Sequence, residues 1–165
     1  LLHLAVGRRV RLRLAPAGGE PYELALRPVT SGAYDQLRYR GWVHANKAYV
    51  SKVSNGRLGY VHIRRMDYDS YQQFLADLDS ENHSKAGVIV DLRFNPGGFI
   101  STFILDVLAR RSVLLKTFRN RRPIDAGYAS GNRLLNKPTI LVINENSYSN
   151  AEIMAESYRR LGLGK

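Results

Sequence analysis

Thr139-Ile140-Leu141-Val142-Ile143 runs directly into Asn144-Glu145-Asn146-Ser147-Tyr148-Ser149-Asn150-Ala151-Glu152. The first five residues have the continuous apolar character of a buried-type strand. The polar turn that follows opens a helix pattern carried on from Ile153 to Leu161. A serine at such a strand-to-helix turn stands where free backbone N–H groups and the positive dipole end favour a developing anion. A second unit of this kind lies upstream: Val88-Ile89-Val90-Asp91-Leu92 leads into Arg93-Phe94-Asn95-Pro96-Gly97-Gly98 and then an apolar helix. Two adjacent turns at one sheet edge supply the parts of a nucleophile and an oxyanion pocket.

Outward from these turns the pattern is a regular alternation. Strands are expected over Leu58 to Ile63, Gly87 to Leu92, Val113 to Phe118 and Thr139 to Ile143. Helices are expected over Asp67 to Leu78, Phe99 to Ala109 and Ile153 to Leu161. Strands separated by single helices imply βαβ units and parallel pairing, so the fold class is α/β. The long polar stretch from Arg119 to Lys137 reads as a functional loop, because structureless connections of that length are uncommon.

Toward the N-terminus, Val10 to Leu14 alternates arginine with apolar residues, and Tyr22 to Val29 does so less strictly. Pro16-Ala17-Gly18-Gly19-Glu20-Pro21 separates them, which reads as two half-buried strands joined by a turn-rich loop. Two strands alone are marginal, so this region is expected to be the trailing end of a small β-rich domain. Ser31 to Val53 reads as a connecting helix stopped by Ser54-Asn55-Gly56. The expected division is therefore 1–30, 31–56 and 57–165.

A chain of 165 residues has room for about one ordinary domain. No apolar run approaches the roughly 20 residues of a membrane span. The chain begins at Leu1 without a methionine and reads as cut from something longer. With no cysteine, disulfides, thiol nucleophiles and cysteine-ligated metals are excluded, and neither a metal nor a cofactor is called for. Lys+Arg 25 against Asp+Glu 14 gives +11, which raises nucleic acid as a partner. The basic residues are scattered as pairs such as Arg64-Arg65 and Arg110-Arg111, with no aromatic interleaving, so a nucleic-acid role is not expected.

Ser149 is the candidate nucleophile. Its structural reading is a helix N-cap with Glu152 completing a capping box, and spacing alone favours the cap. Ser147 competes two residues earlier, and Tyr148 between them is an acid, base or packing residue. Gly97 and Gly98 permit positive φ and let backbone N–H groups converge on an anion, or simply make a tight turn. A serine also needs a base. His62 lies within a strand, His44 in the connecting helix, His83 at a polar helix end and His3 at the chain start; none has motif context. Lys165 is terminal. The residues show half a site.

Taken in order, Arg57-Leu58-Gly59-Tyr60-Val61-His62-Ile63, the Gly87 to Gly98 segment and the Asn144 to Glu152 segment resemble the C-terminal processing peptidases, tricorn branch. Arg38-Tyr39-Arg40-Gly41-Trp42-Val43 and the closing Arg160-Leu161-Gly162-Leu163-Gly164 are similar to that branch too. The resemblance reverses the balance at Ser149, because the family nucleophile falls there. It implies an oxyanion hole from the N–H groups of Asn150 and Gly98, with Gly97 as the alternative to Gly98. It also implies a crotonase/ClpP-like core over 57–165, preceded by the last strands of a PDZ-like domain over 1–30.

The base of this family lies outside the matching segment, so the 165 residues alone are expected to be inactive. The implied activity is serine-type endopeptidase cleavage of peptides or unfolded polypeptides, in a cytoplasmic homo-oligomer. In this branch a carboxylate on the strand after the glycine-loop helix selects basic residues, and the matching position carries Lys116. In a partly desolvated pocket of effective dielectric near ~20, a like-charge pair at ~4 Å costs about 4 kcal/mol, enough to disfavour basic residues. The alternative for Lys116 is a strand end facing solvent. From another class, the alternative function is a non-catalytic PDZ-type peptide-binding or assembly module. An acyl-thioester enzyme of the crotonase type is a third, but leaves the turn serine without a purpose.

Overall fold

In the computed structural model, residues 2–80, 82–125 and 135–165 are described. They fall into two units, Leu1–Ala45 and Asn46–Lys165. In the first, β1 (Val10–Leu14) and β2 (Tyr22–Leu26) form an antiparallel ladder with Val10 opposite Leu26 and Leu14 opposite Tyr22. Along β1 the apolar residues are half-buried and Arg11 and Arg13 exposed, as a two-residue period requires. Helix α1 (Ser31–Val53) begins where the Thr30 hydroxyl accepts the Ala33 N–H at 3.1 Å. Its end is a Schellman motif: Gly56 N–H reaches Ser51 O at 2.7 Å, Asn55 N–H reaches Lys52 O at 3.3 Å, and Asn55 sits at φ 50°. The unit boundary falls inside this helix.

The second unit is built on three parallel strands in the order β3-β4-β7: β3 (Leu58–His62), β4 (Gly87–Asp91) and β7 (Thr139–Val142). Helix α2 (Tyr68–Ser80) connects β3 to β4, and α3 (Ser101–Ala109) follows β4. Helix α4 (Asn150–Arg160) follows β7 and packs on α3. The core is apolar and continuous: Val61, Ile63, Phe74, Val90, Leu92 and Met154 have at most 1% of their surface accessible. Central β4 is buried along nearly its whole length, which explains why its sequence does not alternate. After α4 the chain returns beside β7 in parallel register, with Gly164 opposite Thr139 and Leu141 N–H on Lys165 O at 2.7 Å. Parallel pairing with intervening helices is thus observed.

One expected strand of that sheet is corrected. Of Val113 to Phe118, only Leu115–Lys116 (β5) is strand, paired antiparallel with Ile124–Asp125 (β6) in a separate ladder. Val113, Leu115 and Phe118 are all exposed, so among the described residues the run has no core face to cover. Its apolar composition specified an extended backbone, while a neighbour close in sequence supplied the partner. Of the stretch read as a long loop, Arg119 to Lys137, residues 126–134 lie outside the described residues. Among described residues no helix is long and apolar enough to cross a membrane.

Candidate active site

The two turns meet beyond the carboxyl ends of β4 and β7, the edge at which open α/β sheets bind ligands. Backbone and side-chain bonds join them directly. Phe94 N–H donates to Asn144 Oδ1 at 3.0 Å, and Tyr148 N–H to Asn95 O at 3.2 Å. The Ser147 hydroxyl donates to Leu92 O at 2.8 Å and accepts the Asn144 N–H at 3.0 Å. Ser147 is buried and its hydroxyl is committed to holding the turn against β4. Asn150 extends the join to the helices: its Oδ1 accepts the Ser101 N–H at 3.0 Å and its Nδ2 donates to Ser101 Oγ at 2.9 Å. This side chain thereby caps the start of α3 from the start of α4, which is why α3 begins at Ser101 and not at Phe99.

Ser149 is exposed and N-caps α4, three residues earlier than the apolar period suggested. Glu152 forms a capping box with it, accepting the Ser149 N–H on Oε2 at 2.5 Å. The Glu152 N–H is itself bonded to the Ser149 carbonyl at 3.0 Å, and the hydroxyl makes no cap bond of full geometry. The structural reading of Ser149 as a cap therefore holds, yet it does not account for the backbone. An ordinary N-cap lies in the β region, whereas Ser149 has φ 59° and ψ −124°. Those angles, with Ala151 N–H on Tyr148 O at 3.2 Å, are those of the first central residue of a type II′ turn, a glycine position. Holding serine there costs on the order of 1–3 kcal/mol, the kind of strain that collects at functional sites.

Gly97 faces this turn so closely that a Cβ on it would lie 2.7 Å from Ser149 Cβ and 3.0 Å from the Asn150 nitrogen. Its N–H is donated to Asn95 Oδ1 at 2.8 Å, which leaves it no hydrogen for a bound anion. Gly98 differs. Met66 bonds the residues on either side, its N–H to Gly97 O at 3.0 Å and its carbonyl to Phe99 N–H at 2.8 Å. In such a parallel bridge the polar groups of Gly98 point away from Met66. Among the described residues no acceptor takes the Gly98 N–H or the Asn150 N–H. The serine hydroxyl and these two donors therefore belong to one pair of bonded turns.

No histidine or lysine among the described residues is hydrogen-bonded to Ser149. His62 is buried, with Nε2 2.9 Å from Arg93 O; burial lowers its pKa more than that bond and Asp91 raise it. His44 and His83 are exposed. Asp91, fully buried, accepts Tyr60 Oη–H at 2.6 Å and Arg93 Nη2–H at 2.6 Å. Burial pushes its carboxyl up, but the Arg93 and Tyr60 bonds outweigh that and hold it below the ordinary range. This cluster stiffens the start of the glycine turn. Lys116 is exposed on β5 among the described residues. Among described residues no group of His, Cys, Asp or Glu is placed to hold a metal. A groove of about 480 Å³ lies between the turn after β7 and α4, lined by Ile143, Glu145, Glu152 and Glu156 among others; neither Ser149 nor Gly98 lines it.

The sequence reading left Asn95 and the Asn150 side chain without individual roles. Asn two residues ahead of a glycine is an Asx-turn signal that points to the first; the partners of the second are distant in sequence and leave no local signal.

Residues 57–165 match the family described as peptidase family S41. The chain is 34% identical over 159 residues to the tricorn protease of Thermoplasma acidophilum, covering 96% of this chain and 14% of that protein. It is 33% identical over 162 residues to the tricorn protease homolog of Saccharolobus solfataricus, covering 98% of this chain and 14% of that protein. The chain thus spans about one-seventh of the length of these relatives. The crystal structure of the tricorn protease has a TM-score of 0.75 at 31% identity, over 98% of this chain and 15% of that one. A carboxy-terminal processing protease, CtpA of Bacillus subtilis, is 25% identical over 154 residues, covering 90% of this chain and 30% of that protein.

Proposed function

This chain belongs to peptidase family S41, and from that premise we propose that it supplies the nucleophile and oxyanion donors of a serine endopeptidase. The observation that carries the reading is Ser149 itself, an exposed serine in a glycine conformation at the start of α4, in turns whose Gly98 and Asn150 N–H groups have no acceptor among the described residues. Ser149 Oγ attacks the scissile carbonyl carbon and its proton passes to a base supplied from outside these 165 residues. The carbonyl oxygen becomes an oxyanion held by the N–H groups of Asn150 and Gly98. Collapse of the tetrahedral intermediate breaks the C–N bond, the amine leaves with the proton from the base, and water hydrolyses the acyl-enzyme on Ser149.

The same reading takes 57–165 as part of a crotonase/ClpP-like core and 1–30 as the last strands of a PDZ-like domain, for which the β1–β2 ladder is the support. Peptides or unfolded polypeptides are the substrates, and a cytoplasmic homo-oligomer the working form. Exposed Val113, Leu115 and Phe118 are consistent with cover by further protein. A non-catalytic peptide-binding module leaves the strained serine unexplained. The test is turnover of a fluorogenic peptide by the full-length protein beside Ser149→Ala. Near-complete loss of turnover is expected, and undiminished turnover removes Ser149 from the mechanism.

A further inference from the structure

We infer that Asn95 is a positioning residue that sets both oxyanion donors relative to Ser149; this rests on the peptidase reading above. Asn95 is fully buried, and each of its four polar groups is bonded to a different part of the site. Its N–H donates to Leu92 O at 3.1 Å, closing the turn after β4. Its Nδ2 donates to Ile63 O at 2.8 Å, tying that turn to the end of β3. Its carbonyl accepts the Tyr148 N–H at 3.2 Å, which fixes the residue immediately before Ser149. Its Oδ1 accepts the Gly97 N–H at 2.8 Å.

The last two bonds bear on the chemistry. By engaging the Gly97 N–H, the side chain turns that donor inward and fixes the loop orientation from which the next N–H, that of Gly98, is presented. Met66 holds Gly98 from the opposite side through the bonds to Gly97 O and Phe99 N–H. The Gly98 donor is thus held by a side chain on one flank and a backbone bridge on the other. The Asn150 donor follows Ser149 directly, in the turn whose Tyr148 N–H Asn95 holds. One buried residue therefore sets the span between the two donors, its side chain holding the Gly97 flank and its main-chain carbonyl the Tyr148 flank, and it touches neither substrate nor reacting atoms.

The experiment uses the full-length protein with Asn95→Ala and Asn95→Ser. Serine can accept the Gly97 N–H as an ST-turn but cannot reach Ile63 O. Two ligands of the same peptide sequence are compared. A peptide aldehyde forms a hemiacetal on Ser149 whose oxygen lies against the donors, while the peptide alcohol fills the same subsites without an oxyanion. In Asn95→Ala, kcat/KM and aldehyde affinity fall together by roughly 10- to 100-fold, while alcohol affinity stays near wild type. Asn95→Ser recovers part of that loss. Equal loss of aldehyde and alcohol affinity, or no recovery with serine, overturns the inference.

Failure of the underlying reading looks different: Ser149→Ala then keeps its turnover and wild type does not bind the aldehyde more tightly than the alcohol. Should the Asn95 variants not fold, amide hydrogen exchange on the wild-type full-length protein decides. The Gly97 amide is expected to be protected throughout, and the Gly98 amide to become protected only when the aldehyde binds. A Gly98 amide already protected in the free enzyme, or an unprotected Gly97 amide, overturns the inference.

Discussion

Gly97→Ala is the sharpest single perturbation of this site. The added Cβ would lie 2.7 Å from Ser149 Cβ, 2.9 Å from Tyr148 O and 3.0 Å from the Asn150 nitrogen. Two of those neighbours are backbone atoms of the nucleophile turn, so no flexible side chain can swing aside. Carbon atoms prefer about 3.5 Å or more, so the two turns must part by roughly 0.8 Å. Gly97 also has φ 90°, where alanine is strained by about 1–3 kcal/mol. Overpacking adds about 1–3 kcal/mol. A shift near ~1 Å between nucleophile and oxyanion donors costs about 100-fold in rate. The assay is kcat/KM of the full-length protein on a fluorogenic peptide, normalised to the folded fraction from thermal unfolding. A loss of about 100-fold is expected with the folded state retained at low temperature. Activity within about threefold of wild type would refute the close apposition of these turns as a working feature.

Three further outcomes follow from the same bonds. Ser149→Gly should be more stable than Ser149→Ala by about 1 kcal/mol in urea unfolding, because glycine accepts the II′ angles; the reverse order would show the turn unstrained. Ser147→Ala should lower stability by about 1–3 kcal/mol, since it leaves the Asn144 N–H without its partner and the Leu92 carbonyl with the Asn95 N–H alone, without the near-total loss of turnover expected of Ser149→Ala. Acid should destabilise the protein in two stages. His62 has a lowered folded pKa, so the unfolded chain takes up its proton first and stability falls as pH drops below about 6.5; that stage should disappear in His62→Gln. Asp91, also lowered, contributes stability above its unfolded value that is lost as pH falls from about 4 through the folded pKa; Asp91→Asn should flatten that stage, and an unchanged profile would refute the assignment.

Much of the framework was legible from residue order. The end of helix α1 was legible in the Ser54-Asn55-Gly56 stop, while the Thr30 cap at its start is a finding of the structure. Strands β3, β4 and β7 were placed to within one or two residues by their apolar runs. The start of α4 was misplaced because its first turn is polar and carries no apolar period, although Ser149 and Glu152 gave its cap. The run from Val113 to Phe118 was misassigned to the main sheet, since an apolar stretch announces extension and says nothing of its partner.

By itself the sequence determined the alternation of elements, the pairing class of the sheet, the two turns and the candidacy of Ser149, because propensity, periodicity and turn chemistry act between residues close along the chain. Only the tertiary structure decided which groups are spent and which remain available. Ser147 is committed to Leu92, the Gly97 N–H to Asn95 and the Asn150 side chain to Ser101, while the Gly98 and Asn150 N–H groups keep no acceptor among the described residues. The physical reason is that a hydrogen bond depends on position in space. Most of these groups find their partners across the join between two turns some fifty residues apart, and that distance closes only when β4 and β7 lie side by side.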